Sequence, residues 1–218
     1  MFCFFPEFFA RLAEQGAEPI YTSHGELGAS VVYKMDVGSA ELGVLHPGVG
    51  GPMAAARLEK MIALGCRKFI ACGGAGVLDP SVPVGHIIVP YAAVRDEGTS
   101  YHYLPPSREV EASARAVSAI ESTLKKNGCD YTVAKTWTTD AVFRETRAKI
   151  RRRRAEGCLT VDMEAATFFA VAKFRGVEFG QLLYAGDSVS GPWDHRNWMR
   201  HEIRERLFVL AAESCLAL

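Results

Sequence analysis

Lys68-Phe69-Ile70-Ala71-Cys72-Gly73-Gly74-Ala75-Gly76 is a short, mostly apolar run that ends in a cluster of glycines. Residues 68–72 predict a buried strand, and the glycines after it predict a turn where a ligand can approach the backbone closely. The same grammar repeats on both sides. Upstream, Gly48-Val49-Gly50-Gly51-Pro52 is a glycine-rich turn feeding a helix from Met53 to Leu64, closed by Gly65. Ser30–Val37 and Glu41–His46 predict a hairpin around Gly38-Ser39. Met1–Phe5 predicts a strand, and Pro6 starts a helix with the stripe Phe8, Phe9, Leu12 and Ala13.

Downstream, Val84–Pro90 predicts a strand, and Tyr91–Ser107 a loop-rich stretch. Val110–Lys126 predicts a helix closed by Asn127-Gly128. Tyr131–Thr138, Cys158–Asp162 and Glu178–Tyr184 predict strands; Arg144–Glu156, Glu164–Phe174 and Trp198–Leu218 predict helices. Strands and helices alternate with no repeat, low-complexity stretch or linker. The expected fold is α/β: a single domain over residues 1–218, with a central mixed β-sheet flanked by helices.

Twenty-five basic residues balance twenty-five acidic ones, so nothing pulls the chain towards nucleic acid or an anionic membrane. A small-molecule partner is expected instead. The basic run Arg151–Arg154 is read as a solvated helix end or a subunit contact. Cys3, Cys66, Cys72, Cys129, Cys158 and Cys215 are scattered, which fits reduced thiols in a cytoplasmic protein. No zinc pattern appears. Met1–Phe5 is too short for a signal peptide, and no run approaches the roughly 20 apolar residues of a membrane span.

Ligands of open α/β folds bind at the carboxyl ends of the strands. Three segments there carry unusual residues: Gly73-Gly74-Ala75-Gly76; Val161-Asp162-Met163-Glu164-Ala165-Ala166; and Tyr184-Ala185-Gly186-Asp187-Ser188. Singly, each has a plain structural explanation. Glycines make turns, and Asp162 and Asp187 are the residue type that caps helices and turns. Their joint appearance at strand ends points to a site.

The chain resembles the trimeric and hexameric branch of the nucleoside phosphorylases, with the uridine phosphorylases and methylthioadenosine nucleosidases. Gly48–Pro52 is similar to that family's glycine-rich turn, and Gly73–Leu78 to its G-[ST]-x-G segment. Arg95–Ser100 is similar to the loop that follows, and Val161–Ala166 to its V-E-M-E-[AS] signature. The resemblance implies cleavage of the bond between ribose and a nucleobase, with no cofactor and phosphate as co-substrate. Glu164 matches the glutamate that accepts hydrogen bonds from the ribose hydroxyls. Met163 matches the methionine on the sugar face, and Asp162 stands where the family has glutamate. Asp187 matches the aspartate that protonates the leaving purine, a role worth about 10²–10⁴-fold in rate. Ala75, Gly76 and Val161 are expected to contact the base, with Phe143 as a stacking wall or as ordinary core. Arg147 is the candidate for the arginine of uridine-cleaving relatives, though no glutamine accompanies it. The base preference therefore leans to purine-like rings.

The departures concern phosphate. Phe4-Phe5-Pro6-Glu7 replaces the family's G-D-P-x-R loop, Ala71 its arginine before the glycine cluster, and Gly74 its hydroxyl residue. In Ser23-His24-Gly25-Glu26, Gly25 takes the place of an arginine lent by a neighbouring subunit. A dianion loses its charge-assisted bonds with these partners. Three readings stay open. A phosphorylase would use His24, Arg95 or backbone N–H groups at Gly50, Gly73 and Gly74; a hydrolytic nucleosidase would use water, with Glu7 as a positional candidate; the third is a nucleoside-binding protein with little catalysis. The resemblance also implies a homo-oligomer, a dimer or a ring of dimers.

Overall fold

The computed structural model describes residues 1–26 and 28–218. Five strands make its centre. β5 (Lys68–Val77) and β10 (Glu178–Ser188) run parallel, and β6 (Ile87–Asp96), β8 (Tyr131–Thr139) and β9 (Cys158–Asp162) run the other way beside them. β9 then returns to β5 through Gly76↔Val161 and Val77↔Thr160. The central sheet is mixed, as expected, and it also closes on itself, which the sequence did not announce. β1 (Phe2–Cys3) extends it beside β5, and β7 (Glu109–Glu111) beside β6.

Helices cover two faces. α2 (Gly51–Ala63) and α5 (Ala165–Arg175) pack over Phe2, Phe69, Ala71 and Phe179, where Phe168 stacks on Phe179 at 4.5 Å. α3 (Ala114–Lys126) and α6 (His201–Ala217) cover the other face, with α1 (Pro6–Glu14) beside them, over Ile70, Cys72, Leu182 and Tyr184. This alternation along β5 and β10 is the pattern of strands covered on both sides. α4 (Arg147–Ala155) lies against β9. A separate antiparallel sheet holds β2 (Pro19–Gly25), β3 (Gly28–Val37) and β4 (Ala40–Val44), so the hairpin gains a third strand.

Several expected boundaries move for identifiable reasons. β6 continues through Pro90 to Asp96, with a register shift between Pro90 and Ala92 absorbing the missing N–H, so residues 91–96 are strand and not loop. α3 starts later than Val110 because Ser113 caps it, its Oγ accepting from Ala116 N at 3.2 Å. The basic run forms ion pairs inside the chain: Arg153 with Asp96 at 3.0 Å, Arg154 with Asp79 at 2.9 Å and Arg152 with Glu156 at 3.1 Å. All six cysteines are free thiols. No helix among the described residues is long and apolar enough to cross a membrane.

Candidate active site

A cavity of 820 Å³ opens where β5, β9 and β10 meet the start of α5. The glycine cluster forms its wall. Gly73–Gly76 belongs to β5 itself, and side chains occupy the room the glycines leave. A Cβ on Gly73 would lie 2.9 Å from Phe4 Cδ2, and one on Gly74 3.0 Å from Tyr184 Cζ. Gly74, Ala75 and Gly76 line the cavity; Gly73 lies under the Phe4 ring.

The two carboxyl groups of the third signature have different surroundings. Asp162 ends β9, where Thr138 Oγ1 donates to its Oδ1 at 2.7 Å and Ala165 N to its Oδ2 at 3.2 Å. It thus caps the helix and lines the cavity at once. Glu164 turns away from its own helix, and Gly50 N donates to its Oε1 at 2.6 Å. Gly50 has φ +88°, a left-handed conformation that glycine adopts without strain and that aims its N–H across the chain. Burial pushes the Glu164 carboxyl up to about 8, with the neighbouring Asp162 charge adding to it and the Gly50 N–H opposing. Burial likewise pushes Asp162 up to about 7, against the pull of Thr138 and the backbone N–H groups. Met163 and Val161 line the same end.

Asp187 faces this cavity too. It lies inside β10, which runs on to Ser188 instead of stopping at Tyr184, and Trp193 Nε1 donates to its Oδ2 at 2.6 Å. Glu145 lines the cavity near it. Burial first and the Asp187 charge second push the Glu145 carboxyl up to about 7. Phe143 is 98% exposed at the cavity's rim, so it is a mouth residue and not core.

Other candidates stand elsewhere. Arg95 is buried but outside the lining; its donors go to Ser100 Oγ, Pro105 O, Ser107 Oγ and Leu104 O at 2.7–3.1 Å, holding the loop after β6. Arg147 is exposed at the start of α4, and His24 is exposed on β2; neither lines the cavity. Gly50 touches the site through Glu164 alone. Glu7 lies outside the lining and pairs with Arg204 at 2.7 Å.

The structure adds residues that the motifs did not single out. Trp198 and Arg204, from the segment before α6 and its first turn, line the cavity, and so does Gln181 of β10. Gln181 is 1% exposed, and neither amide atom has a hydrogen-bond partner. Leaving such groups unpaired costs about 1–3 kcal/mol each. A lone glutamine inside Glu178–Tyr184 was the visible signal. Among the described residues, no three of His, Cys, Asp and Glu come together as a metal site requires.

A family model described as the phosphorylase superfamily matches residues 1–214. A guanosine phosphorylase of Halorubrum lacusprofundi is 30% identical over 156 residues, covering 69% of this chain and 63% of that protein. A uridine phosphorylase of Haemophilus influenzae is 25% identical over 187 residues, covering 79% of this chain and 73% of the relative. Among solved structures, an AMP nucleosidase from Bacteroides thetaiotaomicron superposes with a TM-score of 0.78 at 23% identity, over 98% of this chain and 84% of that one. That last likeness is one of fold.

Proposed function

Because the chain belongs to the phosphorylase superfamily, we propose that its cavity takes a nucleoside and that the chain catalyses cleavage of the N-glycosidic bond. The observation that carries this reading is the sharing of one cavity by Glu164, at the start of α5, and Asp187, on β10. Glu164, with Met163 and Asp162 beside it, holds the ribose, whose hydroxyls hydrogen-bond its carboxyl. Ala75, Gly76 and Val161 form the wall against which the base lies, and Phe143 covers it at the rim.

Asp187 delivers a proton to the departing base, which favours purine-like bases because their ring nitrogen accepts it. Glu145 beside Asp187 supports this: a second carboxyl that stays protonated to about 7 keeps a proton in reserve at that end. Arg147, which does not line the cavity, gives no comparable support to a pyrimidine reading. The reaction needs no metal and no organic cofactor, since ribosyl transfer through an oxocarbenium-like sugar requires only charge placement and a proton. Phosphate, a dianion, and water, a neutral molecule, are the candidate acceptors.

The protein is read as a cytoplasmic homo-oligomer, a dimer or a ring of dimers, with no nucleic-acid or membrane partner. Exposed Val142, Phe143 and Trp193 around the mouth support burial against a second copy. The test is release of free base from a panel of purine and pyrimidine nucleosides, followed by chromatography. Purine nucleosides are expected to be cleaved and pyrimidine nucleosides far less; no release from any of them sinks the proposal.

A further inference from the structure

Trp193 is 63% exposed, yet its Nε1 donates to Asp187 Oδ2 at 2.6 Å. An indole so exposed gains little from burial, so this bond and the backbone beneath it hold the ring in place. The backbone is shaped for that. Ser188 and Asp194 exchange both main-chain hydrogen bonds, at 2.8 and 3.0 Å, which closes residues 189–193 into a strap next to Asp187. Arg196 and Asn197 follow with φ of +52° and +48°, a left-handed conformation that costs such residues free energy and persists only where contacts impose it. Those contacts run from Arg196 N to Asp194 Oδ1 at 3.0 Å and from Arg196 Nη2 to Val82 O at 2.6 Å. Trp198, beyond them, is tied down by Tyr184 Oη, which donates to its carbonyl at 3.1 Å.

The two oxygens of Asp187 thereby have different surroundings. Oδ2 accepts from the indole, and Oδ1 lies 3.7 Å from where a Cβ on Gly76 would stand. Gly76 and Val161 form the wall assigned to the base, and the missing side chain leaves Oδ1 room on that side. An indole nitrogen can only donate, so it never takes the proton from Asp187. A proton on Oδ2 would compete with the indole N–H, so the acid form carries its proton on Oδ1, towards the base. When that proton leaves, negative charge develops on the carboxyl group. The indole bond then strengthens, because hydrogen bonds to charged acceptors are stronger than those to neutral ones. An interaction that grows between ground state and transition state is one that accelerates the reaction.

We propose that Trp193 is a positioning residue that orients Asp187 for proton transfer to the leaving base; this rests on the nucleoside-cleaving reading of the same cavity. As the C1′–N bond breaks, its electron pair goes to the base, whose ring nitrogen takes the proton from Asp187 Oδ1. The indole keeps its own proton and holds Oδ2 of the resulting carboxylate, while C1′ passes to the acceptor nucleophile.

The experiment measures kcat and KM for the purine nucleoside that wild type cleaves fastest and for its 7-methyl derivative, whose ring is already cationic and whose base leaves without protonation. The proteins are wild type, Trp193→Phe, Asp187→Asn and the double variant. Phenylalanine keeps an aromatic ring and removes the donor, and the melting temperature should not change because the side chain is mostly exposed. On the unmethylated nucleoside, Trp193→Phe is expected to lower kcat roughly 10- to 100-fold while KM stays within about twofold. The 7-methyl derivative should be cleaved at nearly the wild-type rate, and the double variant should be no slower than Asp187→Asn alone; that second comparison decides by itself where the methylated ring is not accepted. An unchanged kcat, equal losses on both substrates, or losses that multiply in the double variant overturn the positioning role and leave nucleoside cleavage standing. No release of base from any nucleoside by wild type overturns both readings.

Discussion

The backbone N–H of Gly50 donates to Glu164 Oε1 over 2.6 Å, joining the turn before α2 to the start of α5. One carboxyl oxygen is therefore fixed by the main chain. Gly50 cannot be read as a free anion donor while this bond stands.

Above about pH 8, where Glu164 is ionised, Glu164→Gln keeps the shape and removes the charge. A hydrogen bond to a charged acceptor contributes about 1.5–3 kcal/mol, so nucleoside affinity is expected to fall roughly 10- to 150-fold with the fold intact. Calorimetry and circular dichroism on the same sample check both halves. Unchanged affinity removes Glu164 from the ribose site.

The same substitution should change how stability depends on pH. Glu164 holds its proton to about 8 in the folded chain, against an ordinary 4.5. Between those values the folded state binds more protons than the unfolded state, so wild-type stability falls as pH rises through the window. Glutamine does not titrate. The melting temperature of Glu164→Gln should therefore gain on wild type from about pH 5 to about pH 8; a constant difference across that range refutes the shift.

Asp187→Asn should slow purine nucleoside cleavage by about 10²–10⁴-fold and affect substrates whose base leaves without protonation far less. Equal losses for both classes would make Asp187 structural.

Glu145 was invisible as a site residue in the sequence, and its role is read in the pH–rate profile. Its carboxyl stays protonated to about 7, so purine cleavage should decline as pH rises through that value. Glu145→Gln is expected to abolish that limb. Retention of a limb near 7 in the variant assigns it to another group.

Phe143→Ala probes the rim. The ring is almost wholly exposed, so its loss should leave the melting temperature unchanged. Stacking on a base contributes about 0.5–1.5 kcal/mol, and KM should rise roughly 2- to 12-fold. A fall in thermal stability instead points to a subunit contact or core role.

The architecture was legible where periodicity and punctuation agreed. α5 ends at Gly176 in the left-handed conformation, and the hairpin turns at Gly38, both as the residue types indicate. Pro90 misled, because a register shift that admits proline inside a strand leaves no local mark. The glycine cluster read as a turn because glycines usually interrupt strands; here Phe4 and Tyr184, distant in sequence, fill their missing side chains. Among the site residues, the signature carboxylates were found through local motif. Gln181 and Glu145 reach the cavity through register and loop path, which no short window contains.

The position of β10 also governs how the molecule comes into being. This strand lies between β5 and β6, yet it is the last to be synthesised, more than eighty residues after either. A nascent chain that has not yet reached Glu178 can form neither of those pairings, and it leaves two apolar strands with unsatisfied edges facing each other across a gap. Ribosome-bound intermediates should consequently be the stage most prone to misassembly and most dependent on chaperones, and nicks or truncations near the carboxyl end should be far more damaging than comparable cuts in the β2–β3–β4 sheet.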